Sequence, residues 1–110
     1  MKKDYSDETK KLIKKYKKED IKYLKPIEYL SKRNQMTKEQ MDGKIINLND
    51  LKYTEKQEKP SGTRYALFFI HSTIKGHCYV LEFDKNIKVA TIYPLGRRTI
   101  RRYKKKRFKI

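Results

Sequence analysis

The amino-acid sequence predicts an α+β domain: two or three N-terminal helices packed on one face of a roughly four-stranded antiparallel sheet, followed by a basic C-terminal segment. Three observations carry this expectation. Apolar residues recur at helical spacing through about residue 43, the pattern turns towards alternation from residue 44, and the later strand signals are separated by connections short enough for hairpins. A chain of 110 residues has room for one core. It is therefore read as a single domain over 1–110, with a helical part at 1–43, a sheet at 44–96 and a basic segment at 97–110.

Ser6 followed by Asp7 and Glu8 reads as an N-cap with acids in the first turn, and Leu12, Ile13 and Tyr16 share one face. These signals predict a first helix from about Asp7 to Lys18, its other face a row of solvated lysines. Pro26 suits a first helical turn, and Ile27 and Leu30 extend an apolar stripe to about Arg33, a short second helix. Thr37 with Gln40 has the spacing of a capping box, and Gly43 reads as a helix stop, so a single turn is expected between them. Ile45, Ile46 and Leu48, then Leu51 and Tyr53, read as one or two short strands around the turn residues Asn49 and Asp50. The polar stretch Glu55 to Gly62, with Pro60 and Ser61, reads as a loop.

Three strand signals follow in close order, Arg64 to His71, His77 to Phe83 and Ile87 to Tyr93, and their short connections make an antiparallel meander. In the first, Ala66, Phe68 and Ile70 alternate with Tyr65, Leu67 and Phe69, so both faces are apolar and the strand is expected to be central.

Charge bounds the function more tightly than length does. The chain holds 30 Lys and Arg against 13 Asp and Glu, a formal net charge of +17, more than solubility requires and a source of self-repulsion when folded. The excess is uneven: residues 1–60 hold 17 basic and 11 acidic side chains, whereas residues 61–110 hold 13 basic ones against Glu82 and Asp84 alone. From Arg97 to Ile110 there are nine positive side chains and no acid. Such a segment is suited to a polyanion, and Arg97, Arg101, Arg102, Lys104, Lys105 and Arg107 are the candidate nucleic-acid contacts, with Tyr103 and Phe108 interleaved for base stacking. No apolar run approaches the length of a membrane span, the longest being Tyr65 to Ile70, and the N-terminus lacks the apolar stretch of a secretory signal. The expected compartment is the cytoplasm.

Much chemistry is disfavoured by the residues present. Cys78 is the one cysteine; it can form neither an internal disulfide nor a cysteine zinc cage, and in a strand it reads as a core residue. His71, His77, Cys78 and Asp84 are close in sequence, but their alternation along strands argues against a metal site, and none is expected. The four glycines stand singly at turns, so there is no phosphate-cradling loop and no cofactor is expected. Glu82 and Asp84 flank a hairpin turn and read as solvent-facing residues rather than an acid–base pair. What remains is arginine, lysine, tyrosine and histidine, a set suited to holding a phosphate and stabilising charge that grows on it.

The run Ser61-Gly62-Thr63-Arg64-Tyr65-Ala66-Leu67-Phe68, a hairpin strand, Lys88-Val89-Ala90-Thr91-Ile92 and then Gly96-Arg97-Arg98 with Tyr103 resembles the C-terminal half of the RelE family of messenger-RNA interferases, the toxins of toxin–antitoxin pairs. The resemblance spans roughly residues 61–103. It implies phosphate stabilisation by Arg64 and Arg98, with stacking or proton transfer by Tyr103. It further implies metal-independent RNA cleavage through the 2′-hydroxyl, ribosome-bound messenger RNA as a candidate substrate, and an acidic antitoxin that would cover the basic face. The paired lysines of that family fall here on Glu55 and Gln57, which leaves the general base unassigned. Because histidine titrates near neutral pH, His71 or His77 is the candidate, with His71 preferred. The same residues also fit a noncatalytic nucleic-acid-binding protein with a basic stripe, or an inhibitor or adaptor that binds an acidic protein.

Overall fold

The computed structural model describes residues 3–104. Its elements run α1 (Ser6–Ile13), a 3-10 turn (Lys18–Asp20), β1 (Ile21–Tyr23), α2 (Ile27–Asn34), α3 (Lys38–Asn47), β2 (Leu51–Lys59), β3 (Gly62–Ile70), β4 (Gly76–Phe83), β5 (Ile87–Pro94) and α4 (Arg97–Lys104). The strands form one sheet in the order β1-β5-β4-β3-β2. The fold class is α+β as expected, and β3 to β5 form the expected antiparallel meander, which β2 extends by a further antiparallel strand. The sheet has a fifth strand, however, because β1 pairs parallel to β5 with Ile21 opposite Ile87. Three residues are too few for a periodicity to show in sequence.

The sheet is covered on both faces. Tyr65, Leu67 and Phe69 of β3, with Tyr79, Leu81, Val89 and Ile92, pack against Ile13, Leu30, Met41 and Ile45 from the first three helices. The alternate residues Ala66, Phe68 and Ile70, with Cys78 and Tyr53, pack against Ile100 and Tyr103 of α4. The dual apolar pattern of β3 therefore has a cause on each side. The basic C-terminal segment supplies the second cover, whereas helices were expected on one face only.

Three boundaries differ from the expectation. α1 stops at Ile13 instead of continuing to Lys18. α3 continues through Gly43 to Asn47, so Ile45 and Ile46 are helical and form no strand. The capping box is present: the Thr37 hydroxyl accepts from the Gln40 amide at 3.1 Å, and the Thr37 amide donates to Gln40 Oε1 at 2.8 Å. Once started, the helix is carried on by Met41 and Ile45, an i, i+4 pair with no exposed surface. Gly43 has ordinary helical surroundings, a Cβ there meeting only Asn47 Nδ2 at 4.0 Å, and the left-handed C-cap falls on Leu48 at φ 57°. Replacing Thr37 with alanine is expected to lower stability by about 1 kcal/mol, measured by urea denaturation.

The third difference is the predicted loop at 55–62, most of which is strand. β2 pairs with β3 from Leu51 opposite Phe69 to Lys59 opposite Gly62. Its outer half is polar because β2 is an edge strand, where charged residues discourage further pairing. Only the turn at Pro60 and Ser61 matches the loop reading, and Gly62 takes φ 136°, a value that glycine alone adopts readily.

Candidate functional site: a basic helix and a histidine cleft

α4 is amphipathic in the strictest sense its length allows. Ile100 and Tyr103 are buried on the sheet, whereas Arg97, Arg98, Arg101 and Arg102 are exposed. The helix is started by the Ile100 amide donating to the Gly96 carbonyl at 3.0 Å, and the chain is tied to the sheet just before it by the Leu95 amide donating to the Gly76 carbonyl at 2.9 Å. Gly76 cannot carry a side chain here, since a Cβ would lie 2.7 Å from the Phe69 carbonyl oxygen. None of the four arginines forms an ion pair among the described residues. Lys104 closes α4, and the candidates Lys105 and Arg107 lie outside the described residues.

Tyr103 occupies the core, 5% exposed. Its ring stacks on Phe68 at 4.5 Å between centroids and lies 5.2 Å from Tyr53. Its hydroxyl donates to Glu55 Oε2 at 3.3 Å, and burial followed by the Glu55 charge raises its pKa well above the ordinary phenol value. The ring thus anchors α4 to the sheet and is too buried to stack on a substrate base, the stacking role that the resemblance implies.

Arg64 projects from the α4 side of the sheet, in the alternation of Ala66 and Phe68. Its Nε donates to Glu82 Oε2 at 2.5 Å across β3 and β4. Glu82 is therefore a salt-bridge partner of the arginine rather than a free solvent-facing acid. His71 sits just beyond the other end of the strand. Six residue steps separate Arg64 from Ile70, about 20 Å of extended chain. Arg64 and His71 consequently do not share one phosphate, and the four residues read as catalytic form no single site.

His71 belongs instead to a cleft of about 540 Å³ whose walls include Arg33, Asn34, Met36, Lys44, Asp50, Lys75, His77 and Leu95. His71 Nδ1 lies 3.0 Å from Asp50 Oδ2, and His71 Nε2 lies 3.1 Å from His77 Nδ1. One proton fills the space between the two rings, so the three side chains form a continuous chain from carboxylate to the second imidazole. Asp50 also accepts from Lys44 Nζ at 3.2 Å, and the bonds from His71 and Lys44 hold its carboxyl below the usual range. Its place is set by a turn in which Leu48 and Asp50 are both left-handed, at φ 57° and 68°, and by the Ile70 amide donating to the Asp50 carbonyl at 3.0 Å.

Burial, then the His71 charge, pushes the His77 ring down to about 4, with Lys44 and Lys75 contributing in the same direction. A ring that is harder to protonate folded than unfolded leaves the unfolded chain as the better proton acceptor between pH 4 and 6.5. His77 therefore supports folding fully above pH 6.5 and loses that support as pH falls towards 4, by roughly 1–2 kcal/mol after screening of a half-buried ring. Thermal denaturation at about pH 7 and about pH 4.5 checks this: His77→Gln is expected to lose less stability than the wild type over the interval.

Cys78 is fully buried, and burial raises its thiol to about 11, consistent with a core residue. Among the described residues no group of three or more His, Cys, Asp and Glu side chains is placed to hold a metal ion, and no helix is long and apolar enough to cross a membrane. Sequence reasoning named His71 and His77 but missed Asp50, Lys44, Arg33 and Lys75 as their neighbours. The available signal was the hairpin itself: two histidines flanking the connection at 72–76 are brought close by it, whereas Asp50 arrives from 21 residues away. No family model matches the chain, and neither the curated proteins nor the solved structures yield a match to it.

Proposed function

We propose that this protein binds RNA through the outer face of α4. The observation that carries the reading is the placement of Arg97, Arg98, Arg101 and Arg102, all exposed and without ion pairs among the described residues, on a helix held down by Ile100 and Tyr103. Residues four apart on a helix are about 6 Å apart along its axis, so the four guanidiniums present two rows suited to successive phosphates of a strand. Their shared exposure also fits an acidic protein that would cover the same face and compete with RNA. The choice of RNA over DNA rests on the likeness of Ser61–Phe68 and Gly96–Arg98 to messenger-RNA interferases.

A second reading, RNA cleavage of the RelE-like type, is supported by one specific placement: Arg64 and α4 lie on the same face of the sheet. In that reaction a base takes the 2′-hydroxyl proton, the 2′-oxygen bonds to phosphorus, and the 5′-oxygen leaves with a proton, giving a 2′,3′-cyclic phosphate. Incubation with end-labelled messenger RNA in EDTA, with and without ribosomes, tests both readings together with parallel filter binding of RNA and DNA. Retention of RNA on the filter is expected, and absence of binding at low salt would remove the proposal. Cleavage by the wild type but not by a folded Arg64→Ala/Arg98→Ala variant would add catalysis. Intact RNA in every lane would leave a binding protein.

A further inference from the structure

We infer that the cleft between α2, α3 and the β3–β4 hairpin is a second site, which takes the phosphate of a nucleotide with its sugar and base against the cleft's apolar wall. The size is right: about 540 Å³ lies within the usual range for small-ligand pockets. The walls divide chemically. Arg33, Lys44, Lys75 and His71 supply donors and positive charge, whereas Met36, Ile74 and Leu95 supply apolar surface. Asp50 is the one acid in the lining, and it is engaged by Lys44 and His71.

Arg33 and Lys75 form no ion pair among the described residues. The Arg33 guanidinium lies near two aromatic rings, 5.8 Å from the centroid of Tyr29 and 5.9 Å from that of Tyr93, with Nη1 donating to the Tyr29 hydroxyl at 3.2 Å. That arrangement fixes the cation while leaving it without a counter-charge. Lys75 is held by a closed hairpin turn, its carbonyl accepting from the His71 and Ser72 amides and its amide donating to Ser72 Oγ at 3.1 Å. Arg33, Lys44 and Lys75 against Asp50 give the lining a positive balance, and a phosphate is the ligand that such a field draws in.

Asn34 forms part of the cleft wall. Its Nδ2 donates to the Leu30 and Ile92 carbonyls at 2.9 and 3.1 Å, which fixes the orientation of the amide. Its Oδ1 is buried and has no partner among the described residues. The apolar wall of Met36, Ile74 and Leu95 gives a sugar and base a surface that inorganic phosphate would leave unused.

This inference stands apart from RNA binding by α4, and a mononucleotide separates the two. The chain has 2 histidines, so its imidazole proton resonances report the cleft directly. Titration of the full chain with 3′-AMP, 5′-AMP, inorganic phosphate and a short RNA oligonucleotide is followed by NMR. Either mononucleotide is expected to shift both histidines saturably and to raise the pH at which His77 titrates, with inorganic phosphate binding more weakly. Lys44→Ala/Lys75→Ala is expected to weaken mononucleotide binding by about tenfold or more. Lys11→Ala/Lys15→Ala, at two residues that do not line the cleft, removes the same charge and should leave it unchanged. Histidine shifts produced by the oligonucleotide alone would place the source of the nucleotide in an RNA strand. Resonances unmoved by every ligand, or equal weakening by both double variants, would overturn the inference.

Discussion

Replacing Arg97, Arg98, Arg101 and Arg102 together with alanine is expected to flatten the salt dependence of RNA binding. Each cation that neutralises a phosphate of a single strand contributes about 0.7 to the slope of log affinity against log salt, so four contacts contribute about 3. Between 50 and 200 mM salt the wild type should lose about fifty-fold more affinity than the variant. The variant keeps Ile100 and Tyr103, so the helix retains its attachment to the sheet. Circular dichroism and a denaturation midpoint no lower than that of the wild type would confirm that. Parallel salt plots for the two proteins would show that phosphates are contacted elsewhere, and the proposed interface would then be wrong.

The second large effect is expected at Tyr103. Truncation to alanine removes a ring stacked on Phe68 and packed near Tyr53, and loss of a buried aromatic costs about 3–5 kcal/mol. Tyr103→Phe keeps the ring and removes only the hydroxyl bonded to Glu55, so it should cost about 1 kcal/mol. Denaturation in urea measures the first, and RNA binding by the phenylalanine variant tests the role of the hydroxyl. Should Tyr103→Phe fold normally and yet lose binding or cleavage, the phenol would have a chemical part in addition to its packing.

The legible parts of this fold were those written in local patterns. β3 to β5 could be read because alternation and short connections are properties of neighbouring residues, and the two-sided apolar pattern of β3 correctly implied a central strand. Thr37 and Gln40 announced the start of α3. The end of that helix was misread because a glycine is a conditional stop: it ends a helix where the following contacts fail, and here Met41 and Ile45 supply them. β2 was hidden by polarity at its outer half, since an edge strand satisfies its pattern through hydrogen bonds to β3 and not through burial. The site was less legible for a related reason. Arg64, Arg98, Tyr103 and His71 are compatible in chemistry, but their distribution along β3 and α4 depends on strand length and face, which spacing in sequence does not express. Asp50 looked like a turn residue and is one; its second role arises only when β3 brings His71 beside it.

The attachment of α4 also bears on how the molecule is made. During synthesis the strands emerge before the helix that follows β5, and until Ile100 and Tyr103 leave the ribosome the strip of Tyr53, Ala66, Phe68, Ile70 and Cys78 lacks its cover. An apolar strip on an otherwise formed sheet is a site for misassociation of nascent chains. Among the described residues the arginine-bearing helix is thus the last piece of this core cluster to arrive, so the strip is covered and the cationic surface of α4 is assembled in the same event.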